Sequence, residues 1–369
     1  MPMLRIDRRL IAHFDWTLLA AALLVIGCGL LTVLSATHSP TRLASPLFVR
    51  QAMWAGLGLL GLLAALSFDY HWLERYGYFV YAGTILLLVL TAAFGTSGGG
   101  ARRWIALGPV ALQTSEFAKL GVAVALARAL HRHVGERRLT WRNLAVPTLL
   151  VLPPAALILK QPDLGTAIVV LAAAGAVLLV AGLPLRWVVL GASLVAPFLP
   201  MVWHHLKPYQ QRRVLTFIDP QADPLGSGYH IIQSKIAIGS GMFGGKGYLN
   251  GTQNRLNFLP EQHTDFIFAV FAEEWGFVGA CVVVALYTAL LLRCFLVATR
   301  ARDPFGLLLG FGVAAIVFTQ VLVNIGMATG SLPVVGITLP FFSYGGSSLL
   351  TSMFAVGLLL NVSMRRFTF

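Results

Sequence analysis

The residues best suited to chemistry lie in a short polar block that runs directly into a long apolar segment. Glu261, His263 and Asp265 stand just before apolar residues that begin at Phe266. The segment continues well past the ~20 residues that a bilayer-crossing helix needs. Because ionisable groups at membrane depth are usually functional, we interpret the block as a site in which Asp265 accepts a proton. Capping of the next helix by Asp265 or Thr264 is an equally good interpretation of this pattern.

The composition is that of a polytopic membrane protein. Of the 369 residues, 57% are hydrophobic and 11% are charged, and the mean hydropathy is +0.78. Soluble globular chains carry about 25% charged residues. A net charge of +13 would suggest nucleic acid in a soluble protein, but here the basic residues lie in loops between apolar segments. This pattern favours anionic lipid or an anionic lipid-linked substrate. The three cysteines have neither disulfide nor metal-binding spacing.

About ten apolar segments, each near the length of a membrane span, predict an all-α fold. They cover residues 16–37, 47–66, 72–94, 115–130, 144–159, 164–183, 186–203, 266–297, 305–327 and 341–364. An even number of spans places both termini on one side of the membrane. Arginines cluster at the N-terminus and in short loops on that side, which predicts that both termini are cytoplasmic.

The chain is predicted to be one transmembrane domain, residues 1–369, with a large extracytoplasmic loop at 204–263 between spans seven and eight. Within this loop, residues 229–238 have the pattern of a short interfacial helix. The glycines between 239 and 247 indicate a backbone that is either flexible or closely packed. The phosphate-binding pattern Gly-x4-Gly-Lys-Ser/Thr is absent from the sequence, because Gly247 follows Lys246.

Several cations are predicted to lie on or near the outer face of the membrane. They are Arg102, Arg103, Lys119, Lys235 and Lys246. Cations at that surface suit the binding of a diphosphate or a similar anion. A solvated loop with randomly placed charges is the alternative.

Other polar residues allow both a functional and a structural interpretation. Trp104 suits either stacking on a sugar ring or anchoring at the membrane interface. Glu116 and Lys119 are three residues apart, so they form a structural ion pair or contact substrate. Asp163 is placed to cap a helix and is retained as a candidate for substrate binding. Ser343 lies among small residues that either pack closely or line the site.

Short sequence blocks spread over nearly the whole chain occur together in a characteristic order. They cover residues 103–105, 161–166, 233–241, 245–247, 251–253, 258–268 and 340–347. Together these blocks resemble the SEDS family (shape, elongation, division and sporulation). Several blocks in one order are far more specific than any single motif. The compact length, with almost no tail at either end, resembles the elongation branch of the family rather than the division branch.

The resemblance implies a peptidoglycan glycosyltransferase in the cytoplasmic (inner) membrane, serving cell elongation and rod shape. Members of the family polymerise lipid II, a disaccharide-pentapeptide on undecaprenyl diphosphate, into β-1,4 glycan at the outer face. The essential aspartate of the family falls on Asp265, so its implied role is general base toward the 4-hydroxyl of GlcNAc. The outer cations would stabilise the departing diphosphate. A divalent cation, Mg²⁺ or Mn²⁺, is an open alternative for this task, although no ligand set is legible.

The resemblance also implies partners. Family members work with a class B penicillin-binding protein, a transpeptidase, and with other membrane proteins of the elongation complex. Two rival functions remain at this point, a lipid II flippase and a non-catalytic scaffold for a cell-wall complex. Both rivals predict that Asp265→Asn is tolerated, whereas a polymerase that uses this base loses turnover.

Overall fold

The computed structural model is a helical bundle with one small sheet. It describes residues 13–38, 45–98, 101–108, 110–135, 139, 141–198, 201, 203–204, 208–224, 226, 228–256, 258–259 and 261–366. The helices in order are α1 Trp16–Ala36, α2 Pro46–Ser67, α3 His71–Phe94, α4 Thr114–Leu130, α5 Ala145–Lys160, α6 Leu164–Val180, α7 Leu185–Val195, α8 Pro208–Ile218, α9 Tyr229–Ser240, α10 Thr252–Arg255, α11 Ile267–Thr299, α12 Pro304–Thr329 and α13 Gly346–Met364.

Six of these helices, α1, α2, α3, α11, α12 and α13, are long and apolar enough to cross a membrane. Helices α5 and α6 are apolar but shorter. Each of the ten apolar segments in the sequence contains a helix, which confirms a predominantly helical, multi-pass membrane protein. Helix α7 ends at Val195, short of the predicted end at residue 203. The total of ten spans therefore stays a prediction.

The centre of the bundle is built from α4, α12 and α13, whose side chains are mostly buried. Helices α2 and α3 instead expose large apolar side chains such as Leu60 and Phe79, as lipid-facing helices do. Helix α13 lies against α2 at close range, because a Cβ on Gly357 would come within 2.8 Å of the Ala65 methyl. The buried Asn361 amide also donates to the Ala65 carbonyl at 2.6 Å.

A three-stranded antiparallel sheet stands between α3 and α4, and the sequence analysis did not predict it. Its strands are β1 Thr96–Gly98, β2 Ala101–Leu107 and β3 Val110–Gln113, in the order β1-β2-β3. Trp104 on β2 pairs with Gln113 on β3, and Gly108 turns the chain between them with φ +66°. Successive side chains of a strand point to opposite faces. Arg102 is accordingly exposed while Arg103 is partly buried.

Helix α11 is broken at Gly276, and the glycine-rich segment that follows α9 fills the break. Gly276 has φ 66° and ψ −165°, a backbone conformation essentially restricted to glycine. The amides of Lys246 and Gly247 donate to the carbonyls of Glu273 and Glu274 at 3.1 and 3.0 Å.

On the other side of the break, the amides of Phe277 and Val278 donate to the carbonyls of Met242 and Phe243 at 2.9 and 3.2 Å. These bonds satisfy backbone groups that the broken helix leaves without an intrahelical partner, which lipid alone cannot do. The glycine-rich segment is therefore closely packed, which decides between the two interpretations of its sequence. The predicted helix before it is confirmed as α9.

Gly276→Ala should destabilise the protein, because a Cβ at this position would lie 2.3 Å from the Gly245 nitrogen. The strained φ adds about 1–3 kcal/mol to that clash. We expect a clearly lower melting temperature in detergent, measured by intrinsic fluorescence. Gly175→Ala on α6 is the matched control, since a Cβ there meets nothing within 4 Å. Equal melting temperatures for the two variants would contradict the proposed packing of the break.

Candidate functional site

Asp265 lies in a tight turn immediately before α11. Glu261 begins this turn with φ +49°, and its carbonyl accepts from the amides of Thr264 and Asp265, each at 3.2 Å. The N-cap residue of α11 is Phe266, and among the described residues no side chain caps the helix. The interpretation of Asp265 or Thr264 as a helix cap is therefore wrong. The Asp265 carboxylate is left available for another role.

Three side-chain and backbone contacts from distant parts of the chain hold this turn. The Asn324 amide on α12 donates to the Asp265 carbonyl at 3.0 Å. The Ser343 hydroxyl donates to the Thr264 carbonyl at 2.6 Å, and the Tyr344 amide donates to the His263 carbonyl at 2.8 Å. The turn is therefore fixed through its backbone, independently of the Asp265 side chain.

The Asp265 carboxylate opens into a cavity of about 620 Å³. Its described lining carries arginines, carboxylates and aromatic rings. Those residues are Arg50, Arg103, Arg213, Glu261, Asp265, Trp54, Trp104 and Tyr344. The backbone of Gly336 comes close to the carboxylate, because a Cβ on this glycine would lie 3.4 Å from Asp265 Oδ2. The cavity thus combines a potential proton acceptor with cations and with flat apolar surfaces.

Arg103 is held rigidly at the cavity wall. Its Nε donates to the Gln161 carbonyl at 3.1 Å, and its Nη2 donates to the Pro162 carbonyl. These carbonyls belong to the turn between α5 and α6. Strand β2, on which Arg103 lies, is therefore linked to that turn, and the guanidinium has little freedom to move.

The pKa of Asp265 is raised from 3.8 to about 6. Burial is the main cause, and the negative charge of Glu261 adds to it. Arg213 and Arg103 act in the opposite direction and lower the pKa. Burial also lowers the pKa of His263, against the opposing effect of Glu261. A carboxylate with a pKa near 6 is ionised at neutral pH and is a stronger base than an ordinary aspartate.

Of the residues selected from the sequence, Arg103, Trp104, Glu261 and Asp265 line this cavity together. His263 lines an adjacent cavity of about 400 Å³, which also includes Arg255. The His263 ring meets Tyr344 edge-on at 5.5 Å between centroids. Since Tyr344 lines the first cavity, these two rings lie between the cavities.

The remaining selected residues make contacts elsewhere. Glu116 and Lys119 form a buried ion pair at 2.8 Å, and the Thr351 hydroxyl also donates to Glu116. Asp163 caps α6 by accepting from the Thr166 amide, as its position in the sequence suggested.

Lys246 pairs with the buried Glu273 at 2.7 Å, and the exposed Lys235 packs on Gly330 at the end of α12. Arg102 is exposed on β2, and Ser343 supports the turn. A substrate-binding role for these residues stays a prediction.

Arg50 and Arg213 line the cavity, but the sequence analysis did not select them. Arg50 is the fifth residue of α2, and a single charge inside an apolar segment is a sequence signal for a functional residue. Arg213 lies on α8 and was one of many cations in the long loop. Nothing in the local sequence distinguishes it from Arg212.

The cavity offers Glu261 and Asp265 as carboxylates that a divalent cation would bind. Within the described residues, three His, Cys or acidic side chains with ligand atoms mutually close enough for one ion occur elsewhere, at His71, Glu74 and Asp303. A catalytic divalent cation therefore stays a prediction.

The sequence of this chain is similar to a known protein family. The profile of the FtsW/RodA/SpoVE family, described as cell cycle protein, matches residues 15–367. The chain belongs to this family. It is 42% identical to the peptidoglycan glycosyltransferase MrdB of Escherichia coli K12, over 96% of this chain and 94% of that protein. It is 34% identical to the peptidoglycan glycosyltransferase RodA of Treponema pallidum, over 96% of this chain and 99% of that protein.

Solved structures of family members have the same fold. A chain from a peptidoglycan synthase complex that coordinates polymerisation and crosslinking superposes with a TM-score of 0.83 and 40% identity, covering 96% of this chain and 99% of that one. The rod shape determining protein RodA of Thermus thermophilus superposes with a TM-score of 0.72 and 34% identity, covering 96% of this chain and 98% of that one. The expected membership of the SEDS family is therefore confirmed.

Asp265→Asn should stabilise the folded protein at about pH 8, because it removes a partly buried negative charge. Because the pKa is raised on folding, the protonated carboxyl contributes stability that is fully present below pH 3.8. This stability is lost as the pH rises through about 6. The stability gain of the variant should therefore be constant above about pH 7 and should shrink toward about pH 4. Melting temperatures across this range test the prediction. A gain that does not depend on pH would contradict the raised pKa.

Proposed function

We propose that the chain is a peptidoglycan glycosyltransferase that polymerises lipid II, with Asp265 as its general base. The observation that carries the proposal is the Asp265 carboxylate, which has a raised pKa and opens into a cavity that also presents Arg50, Arg103 and Arg213. The named relatives are peptidoglycan glycosyltransferases, which agrees with this chemistry.

In the proposed reaction, the 4-hydroxyl oxygen of an acceptor GlcNAc attacks the anomeric carbon of the sugar that carries the lipid diphosphate. The hydroxyl proton passes to the Asp265 carboxylate as the new β-1,4 bond forms. The bond from the anomeric carbon to the diphosphate oxygen breaks, and its electron pair leaves with the lipid diphosphate. A single displacement of this kind inverts the anomeric configuration.

The arginines of the cavity stabilise the negative charge that develops on the leaving diphosphate. Guanidinium groups bind phosphate oxygens through paired hydrogen bonds, and they need no reorganisation when they are already fixed. Arg103 meets this condition because two carbonyls hold it. Trp54, Trp104 and Tyr344 supply flat surfaces against which sugar rings pack. We also propose that a divalent cation held by Glu261 and Asp265 helps to neutralise the charge on the leaving diphosphate.

We place the cavity at the outer face of the cytoplasmic (inner) membrane, with both termini in the cytoplasm, because basic residues concentrate in the short loops on the side of the termini. In this orientation the chain is one transmembrane domain, and residues 204–263 form its large extracytoplasmic loop. A class B penicillin-binding protein is the proposed partner. A solved structural neighbour belongs to a complex that joins polymerisation to crosslinking, which supports this pairing. The proposed process is cell elongation and rod shape.

Asp265→Asn should lower the rate of polymerisation by about 10²–10⁴-fold, because the amide cannot accept the hydroxyl proton. Purified protein with its transpeptidase partner and lipid II should yield glycan polymer, measured by gel electrophoresis of labelled product. The variant should keep wild-type yield and melting behaviour at low pH, which shows that it folds. Polymerisation at the wild-type rate by the variant would exclude the general-base role of Asp265. Absence of polymer from the wild-type protein, with active partner and substrate, would instead favour the flippase or the scaffold.

Arg213→Gln should lower kcat/KM for lipid II by roughly tenfold or more, because a charge-assisted contact to diphosphate contributes about 1.5–3 kcal/mol. Arg212→Gln is the matched control. It changes the neighbouring exposed residue of α8, which does not line the described cavity wall. If both variants lose the same activity, the effect comes from the net charge of α8 and the assignment of Arg213 to the cavity is wrong.

A further inference from the structure

A second cluster of polar side chains lies at the far end of α11 from Asp265. Helix α11 ends at Thr299, and the part of it that follows the break at Gly276 alone extends about 35 Å at 1.5 Å per residue. Near its last residue the chain turns into α12, and Asp303 stands at that turn. Asp303 faces His71 of α3. Glu74, on the same helix, faces His131, which follows α4. This cluster takes no part in the glycosyl transfer proposed above.

His71, Glu74 and Asp303 bring one metal-ligand atom each to within 4.8 Å of the others. His71 and Glu74 are three residues apart and share one face of α3. Asp303 is fixed because its Oδ1 accepts from the Gly306 amide at 2.8 Å as the cap of α12. Its Oδ2 accepts from the Tyr70 hydroxyl and faces His71. These contacts hold Asp303 in place on the side that faces His71.

The imidazole of His71 is oriented as a metal ligand. Its Nδ1 lies 2.7 Å from Asp69 Oδ1 and donates to that carboxylate. In the neutral ring this leaves a lone pair on Nε2, which faces Asp303 Oδ2 at 3.7 Å. A carboxylate behind the other ring nitrogen is the usual support of a metal-binding histidine.

His131 repeats this arrangement from the end of α4. Its Nδ1 donates to the Arg128 carbonyl at 2.7 Å, and its Nε2 lies 3.4 Å from Glu74 Oε1. In the neutral rings of both histidines, a nitrogen lone pair thus faces a carboxylate oxygen. Two acceptors in contact repel each other unless a proton or a cation lies between them.

The distances favour a cation over a shared proton. A nitrogen–oxygen hydrogen bond has a length of 2.7–3.2 Å, and both of these separations are longer. Two ligand atoms bound to one tetrahedral Zn²⁺ at 2.0–2.1 Å are separated by about 3.3 Å. The separations of 3.4 and 3.7 Å are close to that value.

The charge of the cluster also suits a divalent ion. Asp69, Glu74 and Asp303 carry three negative charges, and Arg365 contributes one positive charge through its contact with Asp69 at 3.4 Å. With neutral imidazoles, these four side chains leave two negative charges. One divalent cation neutralises them.

We propose that His71, Glu74 and Asp303 bind a divalent transition-metal ion of the Zn²⁺ class, and that the bound ion draws in His131 as a fourth ligand. Mixed nitrogen and carboxylate ligands suit Zn²⁺ better than Mg²⁺ or Ca²⁺, which prefer oxygen alone. The ion fastens the start of α3, the start of α12 and the end of α4 to one another. The site stabilises the bundle whether or not Asp265 is the base.

The test uses tag-free, full-length protein in detergent after treatment with a chelator. Zn²⁺ is titrated against a chromophoric chelator, and bound metal is counted by mass spectrometry. We expect one Zn²⁺ per chain and a higher melting temperature, with no such effect from Mg²⁺. X-ray absorption of the bound Zn²⁺ should report nitrogen and oxygen ligands. If the wild type binds no stoichiometric Zn²⁺, or if Mg²⁺ raises the melting temperature equally, the proposal is overturned.

Variants locate the site. His71→Ala and Glu74→Gln should each weaken Zn²⁺ binding at least tenfold, and His131→Ala should weaken it less. His133→Ala, in the same short turn as His131, is the matched control and should bind Zn²⁺ as the wild type does. Unchanged binding in both His71→Ala and Glu74→Gln would place the metal elsewhere and overturn the assignment. Polymerisation by Asp265→Asn is measured separately, so failure of this proposal and failure of the proposed function remain distinguishable.

Discussion

The amide of Asn324 fixes the position on which the proposed chemistry depends. It donates to the Asp265 carbonyl at 3.0 Å and to the Ile337 carbonyl at 2.7 Å. One buried side chain on α12 thereby joins the turn before α11 to the segment before α13. The bond to Asp265 is made to its backbone carbonyl, so it leaves the carboxylate facing the cavity. Burial makes the bonds stronger than they would be in water and makes their loss costly.

The same burial sets the electrostatics of the cavity. Removing the Asp265 carboxylate from water raises its pKa, and Arg213 and Arg103 limit that rise. The result, about 6, keeps the group ionised at neutral pH while it remains more basic than an ordinary aspartate. The arginines thus affect the base as well as the proposed leaving group. This coupling connects α8 and the small sheet to a residue at the start of α11.

Much of the fold could be predicted from the sequence. Apolar segments of spanning length each produced a helix, because a backbone in lipid must satisfy its hydrogen bonds internally. The helix of residues 229–238 and the cap at Asp163 also follow local patterns, and the structure confirms both. The sheet after α3 escaped prediction because its strands are short and its pairing depends on two turns. The close packing of the glycine-rich segment depends on the break at Gly276, which lies about thirty residues away in the chain.

The sequence alone determined the family, the membrane class and the choice of Asp265, because these depend on residue type, order and apolar length. Only the tertiary structure decided which cations accompany that carboxylate. Arg50 and Arg213 line its cavity, whereas Lys246 and Lys119 are paired with Glu273 and Glu116. The physical reason is that the packing of the helices determines which groups a charged side chain contacts. The periodicity of a single segment does not specify which helix packs against it.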